Sequence, residues 1–325
     1  MLEGSSDADM QQRRFPFGIP NCWYVVASSG ELAAGDLRRV RYFGAELILF
    51  RGADGTPGLI DAYCDHLGAH LGYGGKVVGN AVQCPFHNWQ WSREGRCVAI
   101  PYATIIPPSA RIRSYPVREH SGYVWAWYHK GGLEPAWEVP PVAQYGDPDW
   151  TSEWIQFEWT IGSHPQEIFE NGIDYPHFAC VHGFEFPSGA EFLFEKHEHI
   201  WRHSTNRGTE ICEDGREDVR QEGRITGLGS SRLRITGELD VVIFFVTTPV
   251  TAERLHIRLS VLANLKHDVE TEIREKLPSY AASQARTLTE DFDIWEHKKY
   301  RPDPKLCHRD GPIAQYRQWA AQFYG

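Results

Sequence analysis

Two short Cys-His pairs are the residues of this sequence best suited to metal chemistry. Cys64 and His66 form a C-x-H pair, and Cys84 and His87 form a C-x2-H pair after a gap of seventeen residues. Two thiolates and two imidazoles can hold a 2Fe-2S cluster, with the thiolates on one iron and the imidazoles on the other. A structural zinc site uses the same ligand types, but zinc sites favour Cys-Cys pairs, and neither pair here contains two cysteines. The spacing therefore favours the iron-sulfur cluster.

A second possible ligand set lies in the run E-N-x2-D-x2-H-x4-H from Glu170 to His182. Two imidazoles and a carboxylate on one face of an iron leave open positions for O2 and substrate, and non-haem Fe(II) oxygenases use this set. A helix would place Asp174 beside His177, where the carboxylate could orient the imidazole. Because His182 lies about 140° around an ideal helix from His177, we expect a π-bulge or a helix end between them if both bind one metal.

The carboxylate ligand of such a site must come from elsewhere, and the run from Glu290 to Glu296 offers Asp291 and Asp293. Residues two apart do not share a helix face, so only one of the two can point at the metal. If Ile294 and Trp295 face the core, Asp291 shares their face and is the better candidate. Asp293 remains the alternative.

The elements that must position these residues differ between the two halves of the chain. From Cys22 to Tyr128, short β-branched and aromatic segments broken by Gly and Pro predict a small all-β domain. The predicted strands are Arg39 to Phe50, Gly58 to Tyr63, Ala81 to Cys84 and Tyr123 to Tyr128. The stretch from His129 to Trp150 is rich in Gly, Pro and Asp, as is typical of a connection between domains.

The second half predicts helices around an antiparallel sheet. One helix is expected from Pro165 to about Val181, with a capping box formed by Ser163 and Gln166. A second is expected from about Pro278 to Lys299, packed on the sheet. The predicted strands are Arg224 to Leu228, Ser231 to Thr236, Asp240 to Thr248 and Arg254 to Leu262.

Composition and charge restrict the class of protein. A formal charge of -10 over 325 residues gives no basic surface for nucleic acid or an anionic membrane. The first residues lack the basic start and apolar stretch of a signal peptide, and the longest apolar run, Val241 to Ala252, is too short to cross a bilayer. We therefore expect a cytoplasmic protein, in which seven widely spaced cysteines serve as ligands and free thiols.

Together these motifs resemble the Rieske non-haem iron oxygenases, the terminal oxygenase α subunits of ring-hydroxylating and related systems. The resemblance covers most of the chain. It rests on both Cys-His pairs with the flanking Gly68, Pro85, Trp89 and Gly95, and on the E-N-x2-D-x2-H-x4-H run. The tail from Asp291 through Asp310-Gly311-Pro312 to the ending Trp319 to Tyr324 is most similar to the 3-ketosteroid 9α-hydroxylase oxygenases and the cholesterol 7-desaturases.

The resemblance implies an α+β fold, with an all-β Rieske 2Fe-2S domain (residues 1–135) followed by a helix-grip catalytic domain (residues 136–325), an antiparallel sheet flanked by helices. It implies that His177, His182 and Asp291 hold a mononuclear Fe2+. It also implies a homotrimer in which Asp174 bridges His87 of one chain to His177 of the next as an electron relay. Asn171 is expected to support the iron ligands from outside.

The implied activity is that of a monooxygenase component. A reductase that uses NAD(P)H, with or without a ferredoxin, reduces the cluster, and the mononuclear iron activates O2 to hydroxylate a hydrophobic, steroid-like substrate. The strand from Val241 to Val246 and the aromatic residues Phe178, Phe184 and Phe186 are expected near an apolar cavity, although such aromatic residues more often belong to the core.

Two other functions stay open at this stage. A smaller aromatic compound could be the substrate, and the reaction could be dealkylation or desaturation. A Rieske electron-transfer protein without oxygenase activity would also contain both Cys-His pairs, but the second ligand set argues against it.

Overall fold

The computed structural model describes residues 13–184, 188–206 and 218–325, which divide into two compact units. One unit is Asn21–Pro141, and the other combines residues 13–20 with Val142–Gly325. The sequence prediction placed the boundary after residue 135 and grouped the first residues with the first domain. Residues 13–20 instead pack with the second unit, because Arg14 donates hydrogen bonds to the carbonyls of Gly162 and Trp295.

The first unit is built from three antiparallel sheets. Its strands are β1 (Cys22–Ser28), β2 (Leu37–Tyr42), β3 (Ala45–Arg51), β4 (Pro57–Asp61), β5 (Lys76–Val78), β6 (Ala81–Gln83), β7 (Gln90–Trp91), β8 (Cys97–Ala99), β9 (Ser114–Tyr115), β10 (Val117–His120) and β11 (Tyr123–Tyr128). The sheet orders are β1-β11-β10, β2-β3-β4-β9 and β5-β6-β7-β8. A single 3-10 turn, Ser29–Glu31, follows β1. The predicted all-β character is therefore present, but the single strand predicted from Arg39 to Phe50 is wrong. The chain turns at Phe43 and Gly44, which both have positive φ, and forms the hairpin of β2 and β3.

The second unit is built on one seven-stranded antiparallel sheet of order β12-β18-β17-β16-β15-β14-β13. Its strands are β12 (Ile155–Ile161), β13 (Ser188–Glu195), β14 (Glu198–Asn206), β15 (Asp218–Thr226), β16 (Ser230–Thr236), β17 (Asp240–Thr251) and β18 (Arg254–Ala263). Its helices are α1 (Pro165–Glu170), α2 (Tyr175–Cys180), α3 (Glu270–Thr289), α4 (Phe292–His297) and α5 (Ile313–Ala320), with 3-10 turns at Asn171–Ile173 and Ala321–Tyr324.

Helix α3 packs on this sheet through a single apolar stripe. Ile273, Leu277 and Ala281 are four residues apart and fully or almost fully buried. They contact a set of alternate strand residues that share one face of the sheet, namely Val241, Ile243, Leu259, Val261 and Ala263. An antiparallel sheet that carries helices is the arrangement expected for the second half of the predicted α+β fold.

The late helix differs from the prediction at both ends. It begins at Glu270, not near Pro278, because the apolar stripe starts at Ile273 and Pro278 is tolerated inside the helix. It also does not continue to Lys299, since α3 ends at Thr289 and α4 begins at Phe292. Asp291 lies in the short break between the two helices.

Candidate metal centres

The two Cys-His pairs lie on two loops of matching geometry, residues 64–69 and 84–89, which we call the cluster loops. In each loop the backbone N–H four residues after the cysteine donates to the cysteine carbonyl, at 2.9 Å from Gly68 to Cys64 and 3.1 Å from Asn88 to Cys84. Gly68 and Asn88 have φ values of 75° and 60°. This left-handed conformation is adopted most readily by Gly and Asn, so the sequence allows both turns without a bulky residue under strain.

The histidine rings of the two loops lie side by side. The ring centroids of His66 and His87 are 4.8 Å apart, and His66 stacks on Trp89 at 4.4 Å with the ring planes 7° apart. Trp89 is held in turn by a hydrogen bond of 2.7 Å from its Nε1 to the hydroxyl of Tyr102. The aromatic contacts thus fix the orientation of both imidazoles.

The donor set fits a Rieske-type cluster. Cys64 and Cys84 are buried in the same apolar core, whereas both histidine rings are only half-buried. Burial raises the pKa of the Cys64 thiol, and the neighbouring Cys84 thiol adds to the effect, so a bound metal must displace these protons. Sheltered thiolates on one side and more accessible imidazoles on the other match a cluster whose two irons have different ligands.

The segment that carries the second ligand set begins at a buried histidine. His164 Nδ1 accepts a hydrogen bond of 3.2 Å from the Gln166 backbone N–H, and His164 Nε2 donates to the Gly18 carbonyl at 3.0 Å. The predicted capping box from Ser163 is therefore wrong, because the residue in the capping position is His164. Pro165 occupies the first position of α1, where its missing N–H costs nothing.

The predicted continuous helix is also wrong, because the chain leaves helical geometry at Asp174 (φ -85°, ψ 85°). Pro176 explains the break, since it has no N–H to donate and its ring clashes with the carbonyl four residues earlier in a continuous helix. A new helix, α2, then starts with Pro176 in its first turn. Gly311 packs against this break so closely that a Cβ there would lie 2.1 Å from the Ile173 carbonyl oxygen.

Three side chains converge at the end of α2. One possible ligand atom from each of His177, His182 and Asp291 lies within 4.8 Å of the others, the one such cluster within the described parts of the chain. Helix α2 ends at Cys180, and the ring centroids of His177 and His182 lie 5.2 Å apart. The predicted helix end between the two histidines is thereby confirmed. Two imidazoles and one carboxylate fit a non-haem Fe(II) site.

In both histidines Nδ1 makes a hydrogen bond outside the group formed by His177, His182 and Asp291. His177 Nδ1 donates to the backbone carbonyl of Asp174. His182 Nδ1 bonds the Glu290 carboxylate at 2.7 Å, and its Nε2 lies 3.4 Å from Asp291 Oδ2. In each case Nε2 is the nitrogen left for a metal.

Burial and the neighbouring carboxylates shift the pKa values of the two histidines in opposite directions. Burial lowers the pKa of His177, although the Asp174 carbonyl and Asp291 oppose the change. Burial alone would also lower the pKa of His182, but hydrogen bonds to Asp291 and Glu290 outweigh it and raise the pKa. The raised pKa of His182 favours its charged form, so a metal that binds Nε2 must compete with a proton there.

The other predicted residues are placed as follows. Asp174 orients His177 through its backbone carbonyl. The prediction was that its carboxylate would do so from within a helix, but Asp174 lies outside the helix. Asp291 is buried at 5% exposure, whereas Asp293 is exposed and does not belong to the group formed with His177 and His182. The condition used to prefer Asp291 holds only in part, since Ile294 is 47% exposed whereas Trp295 is buried.

Glu290 was not recognised as a site residue from the sequence. It was one acidic residue among several in the run up to Glu296, and only the folded chain shows that its carboxylate contacts His182. Its position directly before Asp291 was the available signal.

Helix α1 is tied to the C-terminal helix. Arg317 on α5 donates two hydrogen bonds to the Glu170 carboxylate, at 2.7 and 2.8 Å, in a half-buried ion pair. The Tyr316 hydroxyl donates to the Gln166 carbonyl at 2.8 Å. The chain end thus holds the segment that leads into the two histidines.

A largely apolar cavity of about 210 Å³ opens beside the three ligands. The apolar side chains that line it come from the sheet and from the surrounding helices: Ile168, Phe169, Phe178, Phe184, Trp201, Val219, Ile225, Leu233, Ile235, Ile243, Phe245, Leu259, Leu288 and Trp295. Its polar lining comprises Asn171, Gln221, Ser231, Gln284 and Thr287. The expected contributions of Phe178, Phe184 and β17 are thus present, while Phe186 lies outside the described residues.

Two protein-family models match the chain, and each covers one of the two candidate ligand sets. Residues 22–116 match the Rieske 2Fe-2S domain, and residues 126–324 match the 3-ketosteroid 9alpha-hydroxylase C-terminal domain. The chain belongs to the Rieske oxygenases of the 3-ketosteroid 9alpha-hydroxylase family.

Curated relatives agree with this assignment. A probable 3-ketosteroid-9-alpha-monooxygenase oxygenase component from Rhodococcus rhodochrous is 33% identical over 99% of this chain and 85% of its own length. A cholesterol 7-desaturase from Bombyx mori is 30% identical over 96% of this chain and 71% of its own length.

Solved Rieske oxygenases share the fold. Dicamba monooxygenase bound to dicamba is 21% identical, with a TM-score of 0.73 over 94% of this chain and 97% of the other. Pseudomonas putida NdmA with caffeine is 20% identical, with a TM-score of 0.76 over 92% and 89% of the two chains. At this level of identity these structures support the fold, and the predicted α+β architecture is confirmed.

Membership of the Rieske oxygenases confirms the predicted enzyme class and cofactors. The protein is the oxygenase component of a monooxygenase system; it uses a Rieske 2Fe-2S cluster, a mononuclear iron and O2, with electrons from NAD(P)H through a reductase. A reductase and a ferredoxin are therefore its partners. The alternative of an electron carrier without oxygenase activity is wrong. No helix in the described parts of the chain is long and apolar enough to span a membrane.

Proposed function

We propose that this oxygenase hydroxylates a hydrophobic, steroid-like substrate, with His177, His182 and Asp291 as the ligands of its mononuclear iron. The observation that carries the proposal is the convergence of these three side chains at the wall of a largely apolar cavity. Steroid substrates appear in the names of the relatives, and an apolar lining matches a compound with few polar groups.

The protein's own residues position the metal and exclude water. When bound, the iron supplies the activation of O2. The two Nε2 atoms and one Asp291 oxygen would hold it, while the Asp174 carbonyl and the Glu290 carboxylate fix the two rings. Phe178, Phe184 and strand side chains make the neighbouring cavity largely apolar.

The cluster is proposed to be bound by Cys64, His66, Cys84 and His87. Its electron is proposed to reach the iron of a neighbouring chain through Asp174, which would bridge His87 of one copy and His177 of the next. Burial raises the pKa of the Asp174 carboxyl, with His177 opposing the change, so this group is responsive to charge on the ring beside it. Asn171, which lines the cavity, is proposed to support the site from outside the iron ligands.

A homotrimer that closes head to tail would supply this neighbour. Large apolar side chains stand exposed beside the cluster ligands, with Leu67 at 65% and Phe86 at 61% exposure next to His66 and His87. Exposed apolar groups clustered at one place are typical of a surface covered by another chain. We assign this surface to a second copy of the protein, with the unit Asn21–Pro141 acting as the cluster domain and the unit that contains Val142–Gly325 as the catalytic domain.

A smaller aromatic substrate is the second candidate, because the cavity volume favours it. About 210 Å³ is below the range of roughly 300 to 1,000 Å³ that is usual for pockets that bind drug-sized ligands. Hydroxylation, dealkylation and desaturation all remain compatible with this site chemistry.

A substrate screen with a reductase and ferredoxin decides between the two candidates. The purified oxygenase is offered 3-ketosteroids, sterols and substituted benzoates, and product mass is measured together with NAD(P)H consumption. Oxidised steroid with matched NAD(P)H consumption is the expected result. Efficient turnover of the aromatic acids alone contradicts the steroid proposal and supports the smaller substrate.

A further inference from the structure

One polar group in the cavity is buried without a partner. The side-chain Nε2 of Gln284 is inaccessible to solvent and accepts or donates no hydrogen bond within the described residues. Gln284 lies on α3 and lines the same cavity as Asp291. The neighbouring Ala281 and Ala285 pack against the sheet side, so Gln284 occupies the edge of the helix that turns toward the cavity.

An amide nitrogen in this position is costly unless a ligand bonds it. A buried donor without an acceptor costs about 1 to 3 kcal/mol, so proteins seldom bury one without a role. The side chains around Gln284 in the cavity are mostly apolar, with Leu288 one turn further along α3 and Phe245 and Leu259 on the sheet. Because Gln284 lines the cavity, a molecule bound there can supply an acceptor.

The helix sets the distance of this donor from the iron site. Gln284 lies five residues, roughly 8 Å along the helix axis, before α3 ends at Thr289, and Asp291 follows two residues later. A rigid polycyclic substrate that reaches the iron with one carbon can place an oxygen near Gln284 with another.

We propose that Gln284 donates a hydrogen bond to a carbonyl or hydroxyl oxygen of the substrate and so selects oxygenated apolar molecules over their hydrocarbon counterparts. This inference rests on the proposed function, since it assigns a recognition role within the same cavity. Gln284 is then a specificity-determining residue that acts at a distance from the reacting carbon.

Binding to the iron-loaded protein under anaerobic conditions tests the inference without turnover. Trp201 and Trp295 line the cavity, so quenching of tryptophan fluorescence reports the dissociation constant. The ligands are steroids with a ketone or a hydroxyl at one end, at the other end or at neither. The variants are Gln284→Met, which keeps the volume and removes the donor, and Ser283→Ala, a neighbour on α3 that does not line the cavity.

The wild-type protein and Ser283→Ala are expected to bind at least one oxygenated steroid about tenfold more tightly than the oxygen-free parent, as one hydrogen bond allows. Gln284→Met is expected to lose that preference while binding the parent as before. Unchanged iron content and cluster absorption show that the variant is folded.

Two results contradict different claims. If Gln284→Met keeps the preference, or weakens all ligands equally, the inference about Gln284 is wrong while the steroid proposal stands. If no steroid binds the wild-type protein, the same comparison is made with an aryl ketone and its alkylbenzene counterpart. Binding of the aryl pair with no effect of Gln284→Met overturns the inference, and binding of neither class overturns it together with the proposed function.

Discussion

The two metal centres of this protein are built in opposite ways. The proposed cluster ligands come from two short loops close together in sequence, and each loop fixes its cysteine with the same local backbone hydrogen bond. The proposed iron ligands come from α2, the turn after it and the break between α3 and α4, so residues more than a hundred positions apart must meet. The first centre depends on local turns, whereas the second depends on tertiary packing.

The largest expected effect separates the two centres outright. His177→Ala removes one of the three proposed iron ligands, so the variant should lose its mononuclear iron and all oxygenase activity while it keeps the cluster. Iron content should fall from three to two per chain, with the visible spectrum of the cluster unchanged. Loss of the cluster spectrum in this variant would show that the two centres are not independent.

A smaller effect is expected where the centres must cooperate. Asp174→Asn keeps the backbone carbonyl that orients His177 but removes the proposed relay charge, so both centres should stay loaded while turnover falls by roughly 100-fold. Rapid reduction followed by single-turnover kinetics measures the transfer of the electron from cluster to iron. A transfer rate equal to that of the wild type would contradict the relay.

The packing that builds the iron site predicts a weaker effect at Glu290. Glu290→Ala removes the acceptor of the His182 Nδ1 hydrogen bond, so Fe(II) affinity should fall about tenfold, the lower end of the range for such partners because Glu290 is half-exposed. Competition with a chelator measures the affinity.

Matched variants make this test specific. Glu290→Gln retains an acceptor oxygen and should recover most of the affinity, and Asp293→Asn, at an exposed carboxylate apart from the site, should not change it. Equal losses in Glu290→Gln and Glu290→Ala would point to charge as the cause, and not to orientation of the ring.

A separate effect, on stability and not on the metal centres, concerns the start of α1. Burial lowers the pKa of His164 to about 4 from an ordinary value of 6.5. Between these values the unfolded chain binds a proton that the folded chain does not, so the free energy of unfolding falls as the pH drops through this window and is fully retained above it. The full effect is on the order of 3 kcal/mol.

His164→Asn removes the titrating group and keeps a residue favoured at helix starts. From pH 7.5 to pH 5, the wild type should lose roughly 2 kcal/mol more than the variant in urea unfolding under matched conditions. Parallel losses in the two proteins would show that His164 is not the group responsible.

The contrast between local and tertiary construction also explains what the sequence could predict. The cluster ligands could be proposed from the spacing of the two Cys-His pairs, and His177 and His182 could be proposed together because both lie within one short run. Asp291 could be preferred over Asp293 only by an assumption about which face of a helix is buried. That assumption was half wrong, since Ile294 is exposed, although Trp295 is buried as expected.

Other features depended on contacts that no local pattern encodes. The break at Asp174 could have been inferred from Pro176, but the fit of Gly311 against Ile173 brings in a residue far along the chain. The capping role of His164 depends on its hydrogen bond to Gly18, a contact between distant segments. Likewise, the contact of Glu290 with His182 exists only after α2 and α3 have been brought together.

Counting iron and acid-labile sulfide in anaerobically reconstituted protein, before and after mild chelation, tests the presence of two independently built centres most directly. The account predicts three irons and two sulfides per chain with a Rieske-type EPR signal, and after chelation two irons, two sulfides and the same signal. Iron and sulfide that leave together, or a reconstituted chain without the Rieske signal, would contradict it.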